Sequence, residues 1–109
     1  MPGQLHYHAP VKFFLFSKAS AATHQVVAGV TGKRLCILHI HLHAAASVTV
    51  VLEDGTTDKS GAMTLSTTNA FAPGFNPLGH IITTAGADFA ITLGGAQQVS
   101  GYGSYQEID

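Results

Sequence analysis

The chain has no tryptophan, a single cysteine and few charges: five Lys and Arg against six Asp and Glu in 109 residues. Each shortage excludes something. Without tryptophan and a cysteine pair there is no antibody-type sandwich core. Cys36 alone rules out an intrachain disulfide, and its place in an apolar strand predicts a buried, inert thiol. A charged fraction of 10%, against roughly 25% in ordinary soluble domains, describes a surface made to be covered. The five cations are scattered and form no stripe able to neutralise a run of phosphates, so no nucleic-acid partner is expected. The longest apolar run near the start, Phe13 to Phe16, is too short to span a membrane and has no signal-peptide flanks. The reading is a soluble, unexported protein with no membrane partner.

Helical periodicity is also missing. What is present is a two-residue period, abundant Val and Thr, and turn signals every eight to twelve residues or so. Strands are predicted over 11–17, 24–30, 34–44, 47–53, 62–66, 81–84, 88–93 and 97–108. Lys18 to Ala22 has helical character but is too short to stand alone. Asp54-Gly55 supplies a turn. Phe71 to His80 contains two prolines and cannot be a central strand, so it is read as an edge or crossing loop whose phenylalanines pack inward. Gly101 and Gly103 fall on one face of the last strand, where another backbone or a bulky side chain approaches closely. The fold class is therefore all-β, one sandwich domain over 11–109 with jelly roll leading, preceded by an extended arm over 1–10 that orders against something else. Leu38, Ile40, Val48, Val50, Phe89 and Ile91 are the expected core.

The stretch Arg34 to His43 draws most of the chemical interest. Strict alternation places Cys36, Leu38, Ile40 and Leu42 on one side and His39, His41 and His43 on the other, with Leu35 and Ile37 on the histidine side. Histidines two apart on a strand stand roughly 7 Å apart and can chelate a transition metal. A catalytic centre would need a further ligand from another strand, for which His24 and His80 are candidates, an open position and supporting partners. The sandwich family known for such a pair is the cupin family, and its motifs fail here. Where a glutamate should follow the histidines the chain has Ala45 and Ala46, or Ser47 and Val48, and the histidine expected after Pro77-Leu78-Gly79 is Ile82. The favoured reading of His39, His41 and His43 is thus a subunit contact, with a structural metal ion as the alternative and a cupin-like metal enzyme as a distant third.

Other chemistry finds little support. No serine sits in a Gly-x-Ser-x-Gly elbow. The acids fall mostly in turns, and Asp54 and Asp58 bracket one that could hold a weak Ca²⁺ but is better read as solvated. Tyr102 and Tyr105 are candidates for stacking on sugars, with packing favoured. No catalytic residue and no cofactor beyond a structural ion is assigned.

From Gly32 to Ile108 the chain resembles a group of small phage virion proteins. The resemblance is carried by Gly32-Lys33-Arg34 leading into an apolar strand, Ser47-Val-Thr-Val50, Ser60-Gly-Ala-Met63 and Phe75-Asn-Pro-Leu-Gly79. It continues with the turn Thr83 to Gly86, an alternating strand ending in Leu93, and Val99-Ser-Gly-Tyr-Gly-Ser-Tyr105. It implies a jelly-roll module that forms a homotrimer and binds a major capsid protein as a decoration (cement) protein, or serves as a tail or head fibre or receptor-binding module. It further implies a non-enzymatic protein of the virion, assembled in the host cytoplasm. The histidine ladder departs from the small or apolar residues expected there. On a three-fold axis a repeated histidine could hold an ion.

Overall fold

Val48, Val50 and Leu52 are buried while Thr49 and Val51 stay half-buried, the burial period that a sheet with one covered face imposes on its strands. The same rule shapes most of the computed structural model, which describes residues 9–109. Of the arm expected over 1–10, only Ala9 and Pro10 fall among the described residues. Nine strands form: β1 (Lys12–Lys18), β2 (Thr23–Val27), β3 (Arg34–Ala44), β4 (Val48–Asp54), β5 (Thr57–Asp58), β6 (Met63–Leu65), β7 (Ile81–Ile82), β8 (Phe89–Leu93) and β9 (Val99–Ile108). Among the described residues there is no helix. The turn after β4 is closed by Gly55 at φ 60°, a conformation that costs other residues a steric penalty.

Two antiparallel sheets result, one ordered β1-β9-β3-β7 and the other β2-β8-β4-β5, with β6 also on β4. The pairing is nested: β1 with β9, β2 with β8, β3 with β7, β4 with β5 and β6. A long hairpin rolled up in this way, its paired strands shared out between the two sheets, is a jelly roll. Between the sheets lie Phe14, Phe16, Ile40, Leu42, Val50 and Phe89, among others. Each buried side chain of this size contributes about 1.5–3 kcal/mol.

The structure corrects the alternation expected for β3. Its register with β9 shifts between Ile37 and His39, a bulge that turns two successive residues against one. Upstream of the bulge Leu35 and Ile37 enter the main core; downstream Ile40, Leu42 and Ala44 do. Cys36 and Leu38 therefore share the outer side with the histidines, where they form a small second cluster with Ile108 and Ala9. Leu38 is fully buried as expected, but not in the main core. Leu35 and Ile37 cannot belong to a subunit contact.

The stretch 71–83 covers the other margin of β3. Leu42 exchanges backbone hydrogen bonds with Phe71 (2.8 and 3.0 Å), Asn76 N–H donates to Leu38 O (2.8 Å), His80 N–H to Ile37 O (2.7 Å) and Thr83 N–H to Leu35 O (2.9 Å). Two prolines keep it irregular, as expected. Phe71 packs against the core, whereas Phe75 is 57% exposed, against the expectation that both turn inward.

Of the two acids read as solvated, Asp58 is exposed as expected and Asp54 is buried. Asp54, 6% exposed, continues the inward side of β4, and its Oδ2 accepts from Thr84 N–H (3.0 Å) and Oγ1 (2.8 Å). Its Oδ1 is buried without a partner among the described residues. Asp58 stands opposite Glu53 instead, on the other side of the sheet, so Asp54 and Asp58 do not share a cation site. Burial, then the hydrogen bond with Asp58, raises the pKa of Glu53. A carboxyl that holds its proton more tightly when folded stabilises the fold only below that raised value, and its contribution is lost as pH rises through it. Glu53→Gln is accordingly expected to stabilise the protein at neutral pH by about 0.5 kcal/mol, the scale of a like-charge cross-strand pair. Thermal melts should show a gain of roughly 2–4 °C at neutral pH that vanishes on acidification.

Candidate interaction face

The outer side of the β1-β9-β3-β7 sheet carries the residues of interest. Because β1 alternates, Phe14 and Phe16 enter the core while Phe13 and Leu15 point out, 79% and 84% exposed. Cross-strand partners share a side, so Leu15 neighbours Tyr102 of β9 and Phe13 neighbours Ser104. Beyond β9, Tyr102 pairs with His41 of β3 and Ser104 with His39. The Tyr102 ring lies 5.6 Å from His41, nearly parallel at 30°, and 5.4 Å from His39, tilted by 38°. Offset stacking of this kind is worth about 0.5–1.5 kcal/mol beyond area burial. It holds an apolar and aromatic face, and across β1, β9 and β3 from Phe13 and Leu15 through Tyr102 to His41 no described residue on it is charged.

The histidines do lie on one side, as the period after the bulge requires. His39 and His41 are half-buried and His43 is exposed, but Tyr102 stacks on His41 and leans against His39. The two candidate further ligands are engaged elsewhere. His24 donates to Ser20 O (2.8 Å) and packs on Phe16 at 6.1 Å, on the edge strand of the other sheet. His80 donates to Gly74 O (2.8 Å). Among the described residues no group of three or more His, Cys, Asp and Glu is placed to hold a metal ion within one chain.

Cys36 is fully buried under Leu78 and Gly79, its Sγ 3.8 Å from Leu78 O. Burial pushes the thiol pKa up against the opposing pull of Arg34, which keeps it un-ionised and poorly nucleophilic. Of the two tyrosines, Tyr102 is 52% exposed, while Tyr105 packs inward against Phe14 at 6.4 Å.

Charge is segregated. Every Lys, Arg, Asp and Glu but Lys18 lies toward the end where the β2–β3, β4–β5 and β7–β8 connections meet, tied together by Gly86 N–H to Lys33 O (2.8 Å) and Gly55 N–H to Asp88 O (2.8 Å). Lys12 pairs with Glu107 (3.2 Å) and Lys33 with Asp109, whose carboxyl is held below its ordinary pKa by that contact. The opposite end, built from the turns at 19–22, 45–47 and 94–98, has Lys18 as its one charge among the described residues.

Phe13 and Leu15 carry this face, and alternation marks them once β1 is placed. Four consecutive apolar residues, Phe13 to Phe16, cannot all be buried in a strand with one covered side. Two of them must show. No protein-family model, no curated protein and no solved structure was found to match the chain.

Proposed function

We propose that the chain is a non-enzymatic structural module of a phage virion, a homotrimeric decoration protein that binds the capsid surface. The observation that carries the reading is the uncovered face around Phe13 and Leu15, 79% and 84% exposed. Apolar patches of this kind on a soluble domain mark interaction surfaces. A jelly roll with its few charges gathered toward one end is suited to being covered on its remaining surface. The sequence pattern shared with small phage virion proteins supplies the partner class.

Co-sedimentation with capsids of the parent phage, stripped of this chain, tests the reading. Saturable binding in multiples of three chains is the expected result; a stable monomer that ignores capsids overturns it. Metal analysis of tag-free protein separates the competing class. One ion per three chains fits an axial histidine site, whereas one per chain, lost in His41→Ala, favours a cupin-like enzyme. A fibre or receptor-binding module is the second reading, favoured by the exposed ring of Tyr102 as a platform for a sugar; a glycan array without hits removes it.

A further inference from the structure

A second apolar set lies at the other margin of the same sheet. Phe75, Leu78 and Ile82 are 57%, 51% and 38% exposed, and Ile82 pairs with Cys36, which puts it on the outer side. Strands β9 and β3 separate this set from Val11, Phe13 and Leu15, which are 38%, 79% and 84% exposed at the β1 margin. We infer that copies of the chain join head to tail, the β1 margin of one seating on the 75–82 margin of the next and closing a ring. The inference rests on the reading of the chain as a self-assembling module and names the surfaces that the assembly uses.

Three observations argue for a second copy as the occupant. The first is charge: no Lys, Arg, Asp or Glu occurs from residue 60 to 87, and the one charge among Val11 to Leu15, Lys12, is already paired with Glu107 at 3.2 Å. Neither surface strips a lone ion of water when they meet. The second is area. The six side chains together offer on the order of 600 Å², about half the roughly 1,200 Å² at the lower end of stable interfaces, which leaves the usual polar rim to supply the rest. The third is the edge of β1. Antiparallel pairing of two β1 strands centred on Leu15 would set Lys12 against Lys18 at both ends, a like-charge guard against edge-to-edge joining. The face is left as the contact. Two unlike surfaces on one chain make a heterologous interface, which closes as a ring when the rotation allows.

The test uses two double variants of the full chain, Phe13→Ser with Leu15→Ser and Phe75→Ser with Leu78→Ser, each checked for native circular dichroism. In analytical ultracentrifugation the wild type is expected to sediment as a closed oligomer and each variant as a monomer. Their equimolar mixture should yield a species of two chains, because one intact interface remains between unlike partners. Wild-type assembly left unchanged by either double variant, or a mixture that stays monomeric, overturns the contact. Should a double variant fail to fold, Leu15→Cys and Leu78→Cys chains are mixed and oxidised: a disulfide between unlike chains supports the contact, and its absence overturns it. A wild type that binds capsids as a monomer overturns the contact and spares the virion reading. One that forms the ring but ignores capsids does the reverse.

Discussion

Gly103→Ala is expected to cost at least about 3 kcal/mol, the upper range of overpacking penalties, and to lower the melting temperature by more than roughly 10 °C. Gly103 lies inward on β9, where Phe14 from β1 crosses over it. A methyl group there would overlap the carbonyl oxygen of His39 and the Phe14 ring, whose Cε2 would be only 2.6 Å away. The first of these obstacles is backbone in the paired strand β3, which cannot rotate aside, and the second is a core ring with neighbours behind it. Gly61→Ala provides the control: nothing lies within 4 Å of the added carbon, and the melting temperature should stay within about 2–3 °C, as for surface changes. If the two variants melt alike, the close approach at Gly103 is not what holds β1 on β9.

Phe89→Ala should be as damaging for the opposite reason. Phe89 is fully buried at the start of β8 and meets Phe14 edge to face, centroids 5.9 Å apart at 62°, so one aromatic pair joins the two sheets. Truncating such a residue costs about 3–5 kcal/mol, transfer and cavity terms together. That is a large share of the roughly 5–15 kcal/mol available to a domain. Chemical denaturation of Phe89→Ala, Phe14→Leu and the double variant would show the coupling: the double variant should lose about 0.5–1.5 kcal/mol less than the sum of the singles. Strict additivity would mean the ring contact contributes no more than its area. Phe13, next in sequence to Phe14 but exposed, illustrates how much depends on side. Its removal should leave the monomer's stability within about 0.5 kcal/mol.

Most of the architecture could be read from alternation. The strand over Val48 to Leu52, the Asp54-Gly55 turn, the proline-broken stretch 71–80 and the crowded glycines of β9 all follow from local rules, and the structure has each of them. What escaped was non-local. The bulge between Ile37 and His39 is a feature of how β3 pairs with the distant strand β9, and no local pattern in Leu35 to Leu42 marks it. Without it strict alternation puts Leu35 and Ile37 on the wrong side. The burial of Asp54 escaped for a similar reason, since the Thr84 groups that satisfy its Oδ2 lie 30 residues away. For the face, the histidine ladder is legible in the sequence. Phe13 and Leu15, ordinary residues in a strand apolar on both faces, are not.

The nesting of the strands has a consequence for how the molecule comes into being. Lys12 is opposite Tyr105 and Phe16 opposite Gly101, so β1 has no sheet partner until the last ten-residue strand has been synthesised. Contacts this distant in sequence slow folding, and in the meantime a growing chain carries Phe13 to Phe16 bare. Only when β9 slides between β1 and β3 do Phe14 and Phe16 disappear from water. From the synthesis of β1 to that of β9 the nascent chain therefore carries its stickiest segment unguarded, an interval in which a chaperone or a neighbouring nascent copy has its best access to it.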